Sequence, residues 1–274
     1  MKKFVLILIA GLLCACGSDD KQMSLAALQL SNVSYGPNPQ QVYDIDLPEG
    51  RNASLTKVII LIHGGAWYGG SKNDMAAAAA FARLQFPLHA IVNMEYRLAT
   101  VDSPAYPKQI DDIQAVIDHI ESGNYNVSKQ YGLLGVSAGA HLSMLYAYQF
   151  DPERKVKVVA SMVGPTDFTD PAYTGGELSE TLVPFLVGEN PTDELIIEVS
   201  PAAHVTSDDA PTIQFLGNAD PLIPNSQGER LKAALDAAGV TNERYVYAAG
   251  HGNFSFADSQ DIFAKLGAFF NTHL

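Results

Sequence analysis

Tyr131-Gly132-Leu133-Leu134-Gly135-Val136-Ser137-Ala138-Gly139-Ala140-His141-Leu142 joins two apolar patterns through a Gly-x-Ser-x-Gly pentapeptide. Tyr131 to Val136 is a continuous run of the kind that forms a buried strand, and Ala140 to Tyr148 opens a second apolar pattern. The reading is strand, tight turn, helix. A serine at the tip of such a turn is held in strained backbone. Gly135 and Gly139 are needed on either side because a Cβ there would collide with the adjoining strand or helix. The hydroxyl is thereby set at the end of a sheet, beside the free N–H groups of a helix N-terminus. The pentapeptide alone also fits a small-residue turn with no chemistry. The rest of the chain therefore has to supply a base, an acid and donors for an oxyanion.

Working outward, Val58-Ile59-Ile60-Leu61-Ile62 is a second continuous β-branched run and ends in His63-Gly64-Gly65-Ala66-Trp67. Two glycines at a strand end let the backbone turn its N–H groups into open space. Gly64, Gly65 and Ala138 are accordingly the expected oxyanion donors. Gly65 to Lys72 superficially resembles a phosphate loop, but the order is Gly70-Ser71-Lys72 rather than Gly-Lys-Ser, and Trp67 and Tyr68 would fill the space of a phosphate. Nucleotide binding is excluded on that ground.

Asn32 to Pro37 and Gln41 to Pro48 alternate apolar and polar residues about a turn, which predicts an antiparallel hairpin at one sheet edge. A helix over Met75 to Leu84 leads to a strand at Ala90 to Met94. A helix face follows at Ile110, Ile113, Val116, Ile117 and Ile120, with Asp111 and Asp112 expected as partners of its N-terminal dipole. Further strands are expected at Lys155 to Val163, Thr212 to Gly217 and Arg244 to Ala248, with helices at Ser226 to Ala238 and Gln260 to Phe270. Residues 165–199 read as an excursion over the sheet top, either a short cap over a site or a surface helix without a part in function. Alternating strands and helices predict an α/β class with a mainly parallel central sheet flanked by helices, in one catalytic domain over 31–274.

The net charge is −13 and no basic stripe or aromatic ladder interrupts it, which argues against a nucleic-acid partner. Both cysteines, Cys14 and Cys16, lie at the start, so the domain can hold no internal disulfide. Lys2-Lys3, the apolar run Phe4 to Leu13 and small residues after it form an export signal over 1–15, too short to span a membrane. A tether over 16–30 follows. Leu13-Cys14-Ala15-Cys16 resembles the lipobox of bacterial lipoproteins, although position 14 is more often a small non-thiol residue. That resemblance implies lipid on Cys16 and a membrane contact through it. Gly17 in place of an aspartate implies an outer-membrane location, facing the periplasm or the cell surface.

In open parallel sheets the working groups collect beyond the C-terminal ends of the strands. The loop at His63-Gly64-Gly65, Ser137, Asp220 and His251 all fall there. Together with Tyr96-Arg97-Leu98, Ser200-Pro201, Asn218-Ala219-Asp220-Pro221-Leu222-Ile223-Pro224 and Gly250-His251-Gly252, they make the chain from about Asn32 onward resemble α/β-hydrolases of the HGG-type carboxylesterase group. That group includes hormone-sensitive-lipase-like esterases and acetyl and feruloyl esterases. Two departures stand out: Leu216-Gly217 replaces a common His-Gly, and Thr100 follows Ala99 where a proline is common. Neither position is catalytic in the family.

The resemblance implies the α/β-hydrolase fold and a serine carboxylesterase with Ser137 as nucleophile, His251 as base and Asp220 as the acid that orients it. No cofactor and no metal are implied. Asp167 is a rival for the acid. His63 is expected to brace the oxyanion loop and His141 to be packed within the helix after the elbow. Trp67 and Tyr68 are candidate substrate contacts, with packing of Trp67 beneath the loop as the alternative. The expected substrate is a small-molecule or carbohydrate ester with a short acyl group, acetyl among them. Two other readings are an amide or formamide hydrolase of kynurenine-formamidase type, and a non-catalytic binding lipoprotein on the same fold. Sequence leaves the oligomeric state open.

Overall fold

An apolar run without polar interruption becomes a strand with both faces covered, and such runs build the middle of the sheet in the computed structural model. The structure describes residues 24–174 and 177–274, with side chains over 24–173 and 181–274. The expected signal over 1–15, Cys16 and the first part of the tether lie outside the described residues.

The strands are β1 (Leu28–Ser34), β2 (Val42–Leu47), β3 (Val58–Ile62), β4 (Ala90–Met94), β5 (Tyr131–Val136), β6 (Val156–Met162), β7 (Thr212–Gly217) and β8 (Asn242–Tyr247). They form one 8-stranded sheet in the order β1-β2-β4-β3-β5-β6-β7-β8. β1 and β2 pair antiparallel, as does β2 with β4, and all other pairs are parallel. The helices are α1 (Ala76–Gln85), α2 (Lys108–Ser122), α3 (Ala138–Leu145), α4 (Pro171–Thr174), α5 (Glu177–Val187), α6 (Asp193–Glu198), α7 (Asn225–Ala238) and α8 (Phe256–His273).

Successive side chains of a strand point to opposite faces, so β3 divides its residues between two cores. Val58, Ile60 and Ile62 belong to the core that also takes in Ile113 and Val116 of α2, Leu142 of α3 and Leu231 of α7. Ile59 and Leu61 meet α1 and α8 through Ala79, Ala82, Leu266 and Phe270. Every residue of α3 is buried, which is why its apolar pattern shows no polar face.

Three expectations need correcting. The tether over 16–30 gives way to β1 already at Leu28, where Leu28 and Leu30 pair with Leu47 and Ile45. β1 is largely exposed, so its residues carry no burial pattern to mark it as a strand. Helix α8 begins at Phe256, four residues before Gln260, because Ser255 and Asp258 form a capping box. Asp112 is not a dipole partner: it is buried and accepts from the Arg97 backbone N–H, the Arg97 guanidinium and Gln41. A carboxylate inside the core requires that many donors.

Candidate active site

The Gly-x-Ser-x-Gly turn has the geometry that its glycines imply. Ser137 holds φ 54° and ψ −118°, and its N–H donates to the Met162 carbonyl at 2.7 Å, which ties the turn to the neighbouring strand. A Cβ on Gly135 would come within 2.2 Å of the Gly139 carbonyl oxygen, and one on Gly139 within 2.1 Å of that of Ile62. Both contacts are with backbone, which cannot swing aside.

Beyond the ends of β5, β7 and β8, three side chains from distant parts of the chain meet. Ser137 Oγ lies 2.8 Å from His251 Nε2, and His251 Nδ1 lies 2.8 Å from Asp220 Oδ2. A carboxylate only accepts, so the proton sits on Nδ1, and Nε2 is left to accept from the serine hydroxyl. The other oxygen of Asp220 accepts the backbone N–H groups of Leu222 and Ile223 at 2.8 and 3.0 Å, which fixes the direction of the carboxylate. The Asp220 side chain is 2% exposed and that of His251 21%, so the pair is covered at one end and open at the serine. Gly217 permits this approach: a Cβ there would meet the Ala249 and Gly250 carbonyl oxygens at 2.3 Å. The glycine of Leu216-Gly217 is thus the half of that dipeptide the geometry needs.

The strand-end glycines lie against the same serine. A Cβ on Gly64 would come within 3.2 Å of Ser137 Cβ, and one on Gly65, at φ 117°, within 2.1 Å of the Gly69 carbonyl oxygen. Ala66 and Trp67 continue the left-handed path at φ 48° and 67°. The Trp67 carbonyl is held by Gln109 Nε2 at 2.7 Å and by the Ala99 N–H at 2.9 Å. His63 is fully buried, stacks on Tyr96 at 4.0 Å between ring centres, and places Nε2 2.9 Å from Glu95 Oε1. Tyr96 in turn donates to the His63 carbonyl at 2.9 Å. His63 thus sits under the loop as a brace.

Trp67 and Tyr68 separate. Trp67 is 2% exposed and its indole N–H donates to His141 Nδ1 at 3.2 Å, so its ring packs beneath the loop, while the residue still contributes to the lining of the cavity beside Ser137. It starts an aromatic cluster that passes through His141 and Phe168 to Tyr173. His141 Nε2 donates to the Val199 carbonyl at 2.8 Å, and burial lowers its pKa to about 4, so the ring stays neutral. Tyr68 is 46% exposed and leans on Phe185 of α5 at 4.2 Å.

Ser137 and His251 open into a cavity of about 510 Å³ whose walls include Val163, Pro165, Tyr173, Leu182, Leu222 and Ile223. Tyr173 and Leu182 place the 165–199 segment over the site, rather than on a remote surface. Of these apolar wall residues only Leu222 and Ile223 fall in a motif quoted from sequence, and none was assigned to the site there, nor was the buried Gln109. Asp167 is elsewhere engaged, accepting from Thr169 at 2.6 Å and from Arg230 at 2.6 Å. Among the described residues no cluster of His, Cys, Asp or Glu is arranged to hold a metal.

A family model, BD-FAE, matches residues 43–235. Esterase LipC of Mycobacterium tuberculosis is 27% identical over 244 residues, 80% of this chain and 59% of its own length. Acylamino-acid-releasing enzyme 2 of Oryza sativa is 24% identical over 243 residues, 82% of this chain and 31% of its own. The chain thus spans less than two thirds of either curated relative. A truncated carbohydrate esterase from gut microbiota superposes with a TM-score of 0.71 at 23% identity, covering 89% of this chain and 97% of that one. Inhibited esterase B from Lactobacillus rhamnosis gives 0.71 at 20% identity, covering 90% and 87%. At such identities these two establish a shared fold. The family match spans most of the chain, from the second strand to the helix beyond Asp220, and on it this chain belongs to BD-FAE, an esterase family of the α/β-hydrolase fold.

Proposed function

We propose that this chain is a serine carboxylesterase acting on short acyl esters, including acetyl groups on carbohydrate. The observation that carries the reading is the hydrogen-bonded series Ser137–His251–Asp220, at 2.8 Å for each link, open to an apolar cavity beside Gly64 and Gly65. His251 Nε2 takes the Ser137 proton as Oγ attacks the ester carbonyl, then returns it to the departing alcohol. Water, deprotonated by the same nitrogen, releases the acid. Asp220 keeps the imidazole in the required tautomer and stabilises the imidazolium. The N–H groups of Gly64, Gly65 and Ala138 receive the negative charge on the former carbonyl oxygen, each donor contributing about 3 kcal/mol in the transition state.

The size of the site supports the short-chain reading. One cavity of about 510 Å³ has to hold both acyl group and alcohol, which leaves less room for a long chain than for an acetyl group. A methylene gains about 0.8 kcal/mol only if it is buried. The half-exposed ring of Tyr68 supports a sugar on the alcohol side, since an aromatic face suits a pyranose. The test is a panel of p-nitrophenyl esters from two to twelve carbons with acetylated xylan, a feruloyl ester and N-formylkynurenine. The expected result is the highest kcat/KM for acetyl to butyryl esters. A rise toward the longest esters, or N-formylkynurenine preferred over every ester, would overturn it.

We also propose that the chain is exported and carries lipid on Cys16, on the strength of Lys2-Lys3, the run Phe4 to Leu13 and the cysteine after it. Mass spectrometry of the native N-terminus tests this. An unmodified Cys16 in the mature protein counts against it.

A further inference from the structure

The described chain starts at the end of the sheet opposite Ser137, and that end carries a distinctive surface. Leu25 lies just before β1, Leu28 opens it, Leu55 precedes β3, Leu84 closes α1 and Leu88 precedes β4. The register puts these positions together: Val58 pairs with Ala90, and Leu28 pairs with Leu47, whose neighbour Asp46 pairs with Ile91. The five leucines are 41%, 42%, 73%, 84% and 71% exposed. They are the exposed leucines among the described residues, and all sit where the parallel strands begin. Ser137, Asp220 and His251 all sit where strands finish. Lys57, two residues after Leu55, has no acidic partner among the described residues, a local positive charge on a chain of −13.

We propose that this leucine-bearing end rests on the lipid bilayer, with the serine turned away toward the aqueous side. The inference rests on the proposed lipid at Cys16, and length decides the orientation. Leu25 lies nine positions after Cys16, a reach of about 30 Å when fully extended. A domain of this size is about 45 Å across. The tether therefore cannot bring the serine end to the membrane while the chain enters at the opposite end. Leucines at the entry side are the ones held at the lipid surface, where apolar side chains enter the headgroup boundary and Lys57 faces anionic phosphates. Among the described residues no helix is long and apolar enough to cross a membrane, so the contact is peripheral. Its consequence is functional: the cavity draws substrate from solution and not from the acyl chains of the bilayer beneath it.

The test uses the native, full-length protein reconstituted through its own N-terminus into phosphatidylethanolamine–phosphatidylglycerol vesicles. Leu55→Cys, Leu88→Cys and Phe256→Cys variants each carry an environment-sensitive fluorophore. Phe256 is 80% exposed and opens α8, just after the His251 loop. Lipids with brominated acyl chains should quench the labels at 55 and 88 at least threefold more than the label at 256. Equal quenching, or stronger quenching at 256, overturns the proposal. Mass spectrometry of the same sample separates the two readings. Lipid on Cys16 with unquenched labels at 55 and 88 overturns the docking alone, and an unlipidated chain that stays off the vesicles overturns both. Unquenched leucine positions in a sample that sediments as a dimer assign the surface to a second copy and also refute it.

Discussion

Where the parallel strands finish, Ala66, Trp67, Ser137 and Val163 all hold positive φ, although none is a residue type suited to it. Where the strands begin, left-handed positions fall mostly to glycine and asparagine, as at Gly50, Asn126 and Gly239, with Arg154 the exception. The same sheet thus ends in two kinds of loop. Residues forced into sparsely populated backbone cost about 1–3 kcal/mol each and persist only where surroundings over-determine them. At the serine end the surroundings are glycines with no room for a Cβ, a buried glutamine on the Trp67 carbonyl and a stacked histidine–tyrosine pair. Strain is concentrated around the cavity that Ser137 and His251 share.

Breaking the serine end should be far more costly to activity than to folding. Ser137→Ala is expected to lower kcat/KM by about 10⁶-fold, leaving only binding and the oxyanion donors, while thermal unfolding is unchanged. A variant with a tenth of wild-type turnover would remove Ser137 from the mechanism. Asp220→Asn should lower kcat about 10⁴-fold, because the amide favours the wrong tautomer of His251. Asp167→Asn, whose partners are Thr169 and Arg230, should stay within about tenfold of wild type. The reverse ranking reassigns the acid.

Glycine replacements sharpen the contrast between the ends. In Gly139→Ala the new Cβ meets backbone oxygens at 2.1 and 2.3 Å, so a loss of about 3–5 kcal/mol in denaturant unfolding is expected. In Gly239→Ala nothing lies within 4 Å, and the cost is the left-handed φ alone, about 1–2 kcal/mol. Equal losses would mean that crowding does not distinguish the two ends.

A different lever acts on acid stability. His141 stays neutral when folded down to a pKa of about 4, below its ordinary 6.5. As pH falls from 6.5 to 4 the unfolded chain binds a proton that the folded chain refuses, so stability drops across that window, by about 3 kcal/mol, and levels off below it. His141→Gln should show a correspondingly shallower loss between those pH values. Identical slopes in urea titrations of the two proteins would refute the assignment.

Much of the fold was legible because its strands are buried on both faces. Val58 to Ile62 and Tyr131 to Val136 had to be apolar throughout, and a continuous run is a strong signal. The start of β1 was not, since an exposed edge strand places no demand on its side chains. Asp112 misled for a related reason: two adjacent acids near a helix start look like dipole partners, and only the approach of Arg97 and Gln41 turns one into a buried acceptor. Trp67 could be read equally as platform or packing. Its position depends on His141, 74 residues away.

By itself, sequence determined the chemistry that local backbone can encode. Gly135, Gly139, Gly64 and Gly65 are required wherever a side chain would strike backbone, so the turn at Ser137 and the glycine loop after β3 are written as residue types at fixed spacing. It also placed Ser137, Asp220 and His251 after strands, and hence at one edge of a parallel sheet. Tertiary structure alone decided that the three meet at 2.8 Å, that Tyr173 and Leu182 close the cavity, and that the exposed leucines gather at the far end. Those facts depend on strand order and on contacts between residues far apart in the chain. No local pattern records them, because the free energy that fixes them comes from surfaces that exist only once the sheet has formed.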